Sequence, residues 1–127
     1  MKNFKKYYKI NGTPEEVYIA LTNAFSISLW SGAEAVMEPI ADTEFSLWDG
    51  NISGRNLGFV PDKRIEQEWY FGEQEEKSLV TIILHADKAN TSVELHHTNI
   101  PDEDFEGITD GWNDAYFGSL AAFFDED

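Results

Sequence analysis

The stretch DFEGITDGWNDAYFGSLAAFF, residues 104–124, carries the pattern around which the rest of the chain is organised. Phe105, Ile108, Trp112, Tyr116, Leu120 and Phe123 recur at steps of three and four, the spacing of one helical face. Pro101 precedes this run, and Asp102 or Asp104 is placed to cap its start. Asp102, Glu103, Asp104 and Glu106 add negative charge at the positive end of the helix dipole. A second stripe, Gly107, Gly111, Ala115, Gly118 and Ala122, falls beside the large one. Glycine inside a helix costs about 1 kcal/mol relative to alanine, so three of them require a reason. Two reasons fit. Small residues let the helix pack closely on sheet backbone, or they keep volume open beside the helix for a ligand.

The preceding residues read as strands for this helix to cover. Residues 3–11 alternate, with Phe4, Tyr8 and Ile10 on one face and Lys5 and Lys9 on the other. Thr13-Pro14-Glu15-Glu16 starts a helix to about Asn23, with Thr13 and Glu16 forming a capping box. A second short helix, about 24–30, stops at Gly32. Residues 34–38 read as the second strand. Trp48-Asp49-Gly50-Asn51 is a two-residue hairpin turn that sets opposite residues to sum to 99. Leu47 then faces Ile52, Phe45 faces Gly54, and Glu44 faces Arg55 as an exposed pair. The inward side of the next strand is Ile52, Gly54, Asn56 and Gly58, which is small for a buried face. Ile65, Gln67 and Trp69 are in phase on the strand after Pro61-Asp62-Lys63, and Gly72 to Lys77 is a charged loop. Strands 78–86 and 91–99 pair so that opposite residues sum to 177, which sends His97 inward and His96 outward. Consecutive strands with short connections make an antiparallel meander. The fold expected is α+β: a curved seven-stranded antiparallel sheet wrapped around a long C-terminal helix, with two short helices after the first strand, in one domain over 1–127.

Composition limits the function classes. The chain has 127 residues and a formal charge of −15, with 42% hydrophobic and 14% aromatic residues, so it is globular. That charge argues against nucleic acid and anionic lipid as partners. Four of the nine cations lie in Lys2, Lys5, Lys6 and Lys9, and ten acidic residues follow Lys88 with no Lys or Arg among them. There is no cysteine, hence no thiolate chemistry or cysteine zinc site. No apolar run approaches a membrane span, and the N-terminus lacks the apolar core of a signal peptide, so a cytoplasmic address is expected.

The order of these features resembles a known family. The helix start at 13–17, Trp30, FSLWDGNISG at 45–54, VPDKRIEQEW at 60–69, TSVELHHTNIP at 91–101 and Gly111-Trp112 are similar to activator of heat-shock chaperone ATPase homologues. The resemblance covers essentially the whole chain. It implies the START-like, birch-pollen-allergen-like superfamily and its helix-grip fold, with a cavity between sheet and helix. It also implies two kinds of partner. One is the ninety-kilodalton heat-shock chaperone, whose ATPase the eukaryotic members stimulate. The other is a small apolar or amphipathic molecule, as in superfamily members that bind lipids, hormones or polyketides. Some superfamily members are cyclases.

No phosphate loop, nucleotide fingerprint or serine-nucleophile elbow is present, and no cofactor is implied. Asp102-x-Asp104-x-Glu106-Gly107 copies part of a calcium loop, but the twelfth place is Asn113 where a bidentate Glu belongs. The three histidines do not converge on one face, so no metal site is expected. His97 reads as a hydrogen-bonded core group. A proton-handling role for His97 or Gln67 would make the chain a cyclase-like or hydrolase-like enzyme, and the reading leans away from that. What remains is shape. Gly54, Asn56 and Gly58 on the strand face Gly111 on the helix. Trp30, Trp69, Trp112 and Tyr116 supply aromatic walls, and Asn56, Gln67 and His97 supply polar points. Apolar lining with few polar groups suits a small-molecule pocket, and it equally suits a core that the aromatics fill.

Overall fold

The computed structural model describes residues 1–72, 74 and 76–125. Two residues of the expected charged loop, Glu73 and Glu75, therefore lie outside the described residues. Strands β1 (Lys2–Ile10), β2 (Glu44–Leu47), β3 (Ile52–Val60), β4 (Arg64–Trp69), β5 (Ser78–Asp87) and β6 (Asn90–Ile100) form one antiparallel sheet. Their order is β1-β6-β5-β4-β3-β2, a meander closed by the first strand pairing with the last. Helices α1 (Pro14–Thr22) and α2 (Ala24–Ser31) and the helical C-terminal run share one face of the sheet.

The sheet has six strands rather than the seven expected. Residues 34–38 make a single bridge, Val36 to Ser46, instead of a ladder. β2 is only four residues long, and Pro39 has no N–H to extend a pairing. The chain instead climbs past β2 to β3: the Asn56 amide donates to the Glu38 carbonyl at 3.2 Å, and the Asp42 N–H donates to the Asn56 carbonyl at 2.8 Å. Asp42 turns there with φ of 68°, and its carboxylate takes Arg55. Glu44 does face Arg55 across the hairpin, but the guanidinium's ion pair goes to the loop carboxylate of Asp42 instead.

Local signals elsewhere hold. Thr13 and Glu16 form the capping box, and Gly32 closes α2 in the left-handed region. The hairpin pairs sum to 99, with the Asn51 N–H donating to the Trp48 carbonyl. The β5–β6 pairs sum to 177. One irregularity resets the facing of the end of β3. Asn56 faces Gln67, yet Gly58 faces Glu66, so Leu57 is an extra residue in β3. A bulge of one residue exchanges the two faces of everything beyond it. Gly58 therefore turns to the outer face, and Phe59 joins Ile65 on the inner one.

The C-terminal run is not one regular helix. A short 3-10 turn at Asp102–Asp104 leads into α3 (Phe105–Gly111), a π turn (Trp112–Tyr116) and α4 (Phe117–Asp125). Neither Asp102 nor Asp104 caps it; the Asp102 carboxylate pairs with the N-terminal ammonium at 3.0 Å. In the π turn the Phe117 N–H donates to the Trp112 carbonyl, one residue further back than in an α-helix. The phase slips by one residue. Phe117, outside the expected stripe, becomes 1% exposed, and Gly118 leaves the small stripe and faces solvent.

Candidate functional site

Between β4 and the C-terminal run the inner space is filled. Tyr8, Phe117, Trp112 and Trp69 stack in one row, with centroid separations of 4.3, 5.6 and 4.6 Å and interplanar angles of 28° or less. The row crosses the concave face from β1 to β4. The indole N–H of Trp112 donates to His97 Nδ1 at 3.0 Å. An indole nitrogen only donates, so Nδ1 carries no proton and the ring proton is on Nε2. Nε2 then donates to Ser78 Oγ at 2.8 Å, and the Ser78 hydroxyl donates to the Thr98 carbonyl at 3.1 Å. Burial holds the His97 pKa down at about 3. His97 is neutral with both nitrogens committed, which leaves none to exchange a proton with a ligand.

A second buried chain runs beside it. The Trp69 indole donates to Gln67 Oε1 at 3.0 Å, and Gln67 donates to Asn56 Oδ1 at 3.0 Å. Asn56 Nδ2 donates in turn to Thr43 Oγ1 at 3.1 Å and to the Glu38 carbonyl. Asn56 and Gln67 are buried and mutually satisfied. They fix β3 against β4 and the 38–43 loop.

Open volume lies to one side of this packed centre. A half-open groove of about 220 Å³ runs between the β2–β3 hairpin and α3. Trp48, Asn51 and Ile52 form the hairpin wall. Trp69, Trp112 and Tyr116 form the base, and Gly107, Ile108, Gly111 and Ala115 form the helix wall. A Cβ built on Gly107 or Gly111 meets nothing within 4 Å, so these glycines border free space. Trp48 sits at φ of 50°, a region a bulky side chain rarely adopts, and this turn holds its indole 6.1 Å from the Tyr116 ring. Tyr116 is 4% exposed, and burial raises its pKa above the ordinary phenol value. Among the described residues its hydroxyl has no hydrogen-bond partner.

Four of the expected lining residues therefore meet at the groove: Trp69, Gly111, Trp112 and Tyr116. Six do not. Trp30 stands behind the wall, its indole donating to the Ala20 carbonyl at 2.8 Å and its ring packed edge-on to Trp48 and Tyr116. Asn56, Gln67 and His97 belong to the buried networks. Gly54 is a packing glycine, because a Cβ there would collide with the Phe45 ring at 2.8 Å and with the Glu68 carbonyl. Gly58 is on the outer face. The expected confrontation of strand and helix glycines is absent, and only the helix side borders open space. Ile108, Gly107 and Ala115 belong to stripes legible in the sequence. Trp48 and Asn51 read there only as turn residues, although an indole in a tight turn, where polar side chains are usual, is itself a signal.

On the outer sheet face, Glu94 accepts from His85 at 2.8 Å and from His96. The two histidine bonds lower its pKa to about 2. Among the described residues no group of three or more His, Cys, Asp or Glu could hold a metal ion. No described helix is long and apolar enough to cross a membrane.

Residues 11–125 match the sequence pattern of the Activator of Hsp90 ATPase homolog 1-like protein family. The human Activator of 90 kDa heat shock protein ATPase homolog 1 is 31% identical over 114 residues, 88% of this chain and 34% of the relative. The Dictyostelium discoideum homolog is 29% identical over 114 residues, 87% of this chain and 30% of the relative. The chain thus spans about a third of the length of the curated relatives it matches. A crystal structure of an HSP90 activator from Plasmodium falciparum superposes with a TM-score of 0.88 at 22% identity, covering 97% of this chain and 96% of that one, and shows the shared fold.

Proposed function

The chain belongs to the Activator of Hsp90 ATPase homolog 1-like family, and we propose, on the geometry of its groove, that it is a non-enzymatic binding domain whose groove holds the apolar part of a small amphipathic molecule. The observation that carries this reading is the groove itself, with apolar walls and two helix glycines that border free space. Its volume of about 220 Å³ is below the roughly 300–1,000 Å³ of sites that enclose a drug-sized ligand. It suits one ring or a short alkyl chain, with the remainder of the molecule in solvent. Tyr116 at the base and Asn51 on the hairpin wall are the lining residues that can offer a polar contact. The buried, neutral His97 supports binding over catalysis. Native mass spectrometry of protein purified from its own host, with Gly111→Leu as the blocked control, tests the reading. A retained small molecule lost in the variant is expected. A ligand-free wild type, together with no change in tryptophan fluorescence against a panel of short-chain amphiphiles, would remove it.

The relatives favour a second reading, an accessory protein that stimulates a heat-shock chaperone ATPase. Adding the protein to the host chaperone and following ATP turnover tests it. An unchanged rate and no complex would end it.

A further inference from the structure

Resting on the groove reading, we propose that the part of the occupant entering the groove carries one neutral oxygen, a hydroxyl or a carbonyl, that hydrogen-bonds the Tyr116 hydroxyl at the base. Four rings enclose this phenol: Trp30, Trp48, Trp112 and Phe117 lie 5.0, 6.1, 4.6 and 4.8 Å from it, centroid to centroid. They leave Tyr116 4% exposed. Among the described residues its hydroxyl bonds to no protein group. It is not sealed in, since Gln74 Nε2 is the only described side-chain nitrogen or oxygen that is both fully enclosed and unpartnered. The opening left to the Tyr116 oxygen is the groove that this residue lines. Gly107 and Gly111 keep room in that groove, because a Cβ on either meets nothing within 4 Å.

The rest of the base is committed. The Trp69 indole donates to Gln67 and the Trp112 indole to His97. Asn51, the polar side chain of the hairpin wall, is exposed, so solvent satisfies it whether or not the groove is filled. Tyr116 differs. A pure hydrocarbon seated in the groove shuts water away from its hydroxyl and leaves a buried polar group unpaired, which is the costly case. A neutral oxygen on the occupant restores the bond. A phenol both donates and accepts, so a hydroxyl or a carbonyl serves equally. Burial holds the phenol proton on, with the pKa above its ordinary value. A charged group would find no counter-ion there: the described lining residues include no Lys, Arg, His, Asp or Glu, and apolar walls make an unpaired charge expensive.

Four probes share a tolyl group and differ at one end. Toluene carries no oxygen, p-cresol a neutral hydroxyl, 4-methylacetophenone a neutral carbonyl and 4-methylbenzoate a charged carboxylate. Their dissociation constants follow from NMR titrations that read the tryptophan indole N–H signals. One or both of the neutral oxygen probes should bind roughly fivefold more tightly than toluene, the gain of one hydrogen bond, and 4-methylbenzoate should bind more weakly than they do. Tyr116→Phe removes one atom that no described protein group bonds, so it keeps the packing and isolates the oxygen. It should bind toluene as well as the wild type does, or better, and lose the preference for the oxygen probes. Equal binding of toluene and both neutral oxygen probes by the wild type would overturn the inference and leave the groove reading standing. So would a preference that survives Tyr116→Phe, an equal loss of every probe in that variant, or 4-methylbenzoate binding as tightly as p-cresol. Binding of none of the probes, or binding unaffected by Gly111→Leu, would overturn the groove reading and this inference with it.

Discussion

Mild acid should destabilise this protein through His97. The imidazole is 0% exposed and its folded pKa is held at about 3 by burial, against an ordinary value of about 6.5. On acidification the unfolded chain binds this proton first. The contribution to stability is therefore complete above about pH 6.5 and is lost as pH falls toward 3. One pH unit inside that window corresponds to about 1.4 kcal/mol, so between pH 8 and pH 5 this group alone should remove about 2 kcal/mol. Protonation also makes Nδ1 a donor facing the Trp112 N–H, so the buried bond between them is replaced by two opposed donors. Urea unfolding followed by tryptophan fluorescence, at half-unit pH steps, gives the slope. His97→Asn keeps an acceptor for Trp112 and removes the titration. The difference in stability between wild type and variant cancels the exposed carboxylates and the two surface histidines, and it should narrow by about 2 kcal/mol over the same range. Nitrogen chemical shifts of the histidine rings supply a reading that does not depend on the variant folding. A His97 ring that titrates near 6.5 in the folded protein, or a wild-type-minus-variant difference flat across pH 8 to 5, would refute the argument.

The packing sets four further outcomes. Gly54→Ala should destabilise by about 1–3 kcal/mol because its Cβ meets the Phe45 ring and the Glu68 carbonyl; Gly58→Ala, on the outer face, should change urea stability by about 0.5 kcal/mol or less. Gly111→Ala should leave stability unchanged or raise it by up to about 1 kcal/mol, since it gains helix propensity and meets nothing; thermal unfolding gives the sign. Asn113→Ala removes the acceptor shared by Lys6 at 2.9 Å and Tyr8 at 2.8 Å, which should cost about 1 kcal/mol in urea unfolding and loosen the π turn from β1, visible as faster amide exchange over 112–117.

The parts legible in the sequence are those that a short-range rule specifies. A turn of fixed length dictates a register, so the sums of 99 and 177 come directly from the hairpin residues. A threonine before Pro14 with a glutamate three residues later dictates a helix start. What is not legible depends on a single extra residue. Counting by twos along β3 presumes an unbroken pleat, and Leu57 breaks it, which is why that count puts Gly58 on the wrong face. Counting by 3.6 along residues 104–124 presumes an unbroken helix, and the π turn breaks that too.

The π turn is held from both sides. Trp112 is fixed by its bond to His97, and Asn113, the next residue, is fixed by Lys6 and Tyr8 on β1. With those two anchored, Tyr116 and Phe117 both have to reach the core, and consecutive residues of a regular α-helix diverge by about 100°. The wider turn brings both in: Tyr116 is 4% exposed and Phe117 1%. Full burial of a phenylalanine is worth about 1.5–3 kcal/mol, enough to offset one altered helical hydrogen bond. Phe117 then bridges Tyr8 and Trp112 and completes the row of stacked rings. The same slip limits the open glycine row to Gly107 and Gly111 and moves Gly118 away from it. The groove therefore ends where the stacking begins, and two adjacent aromatics in the middle of a helical pattern are the trace this leaves in the sequence.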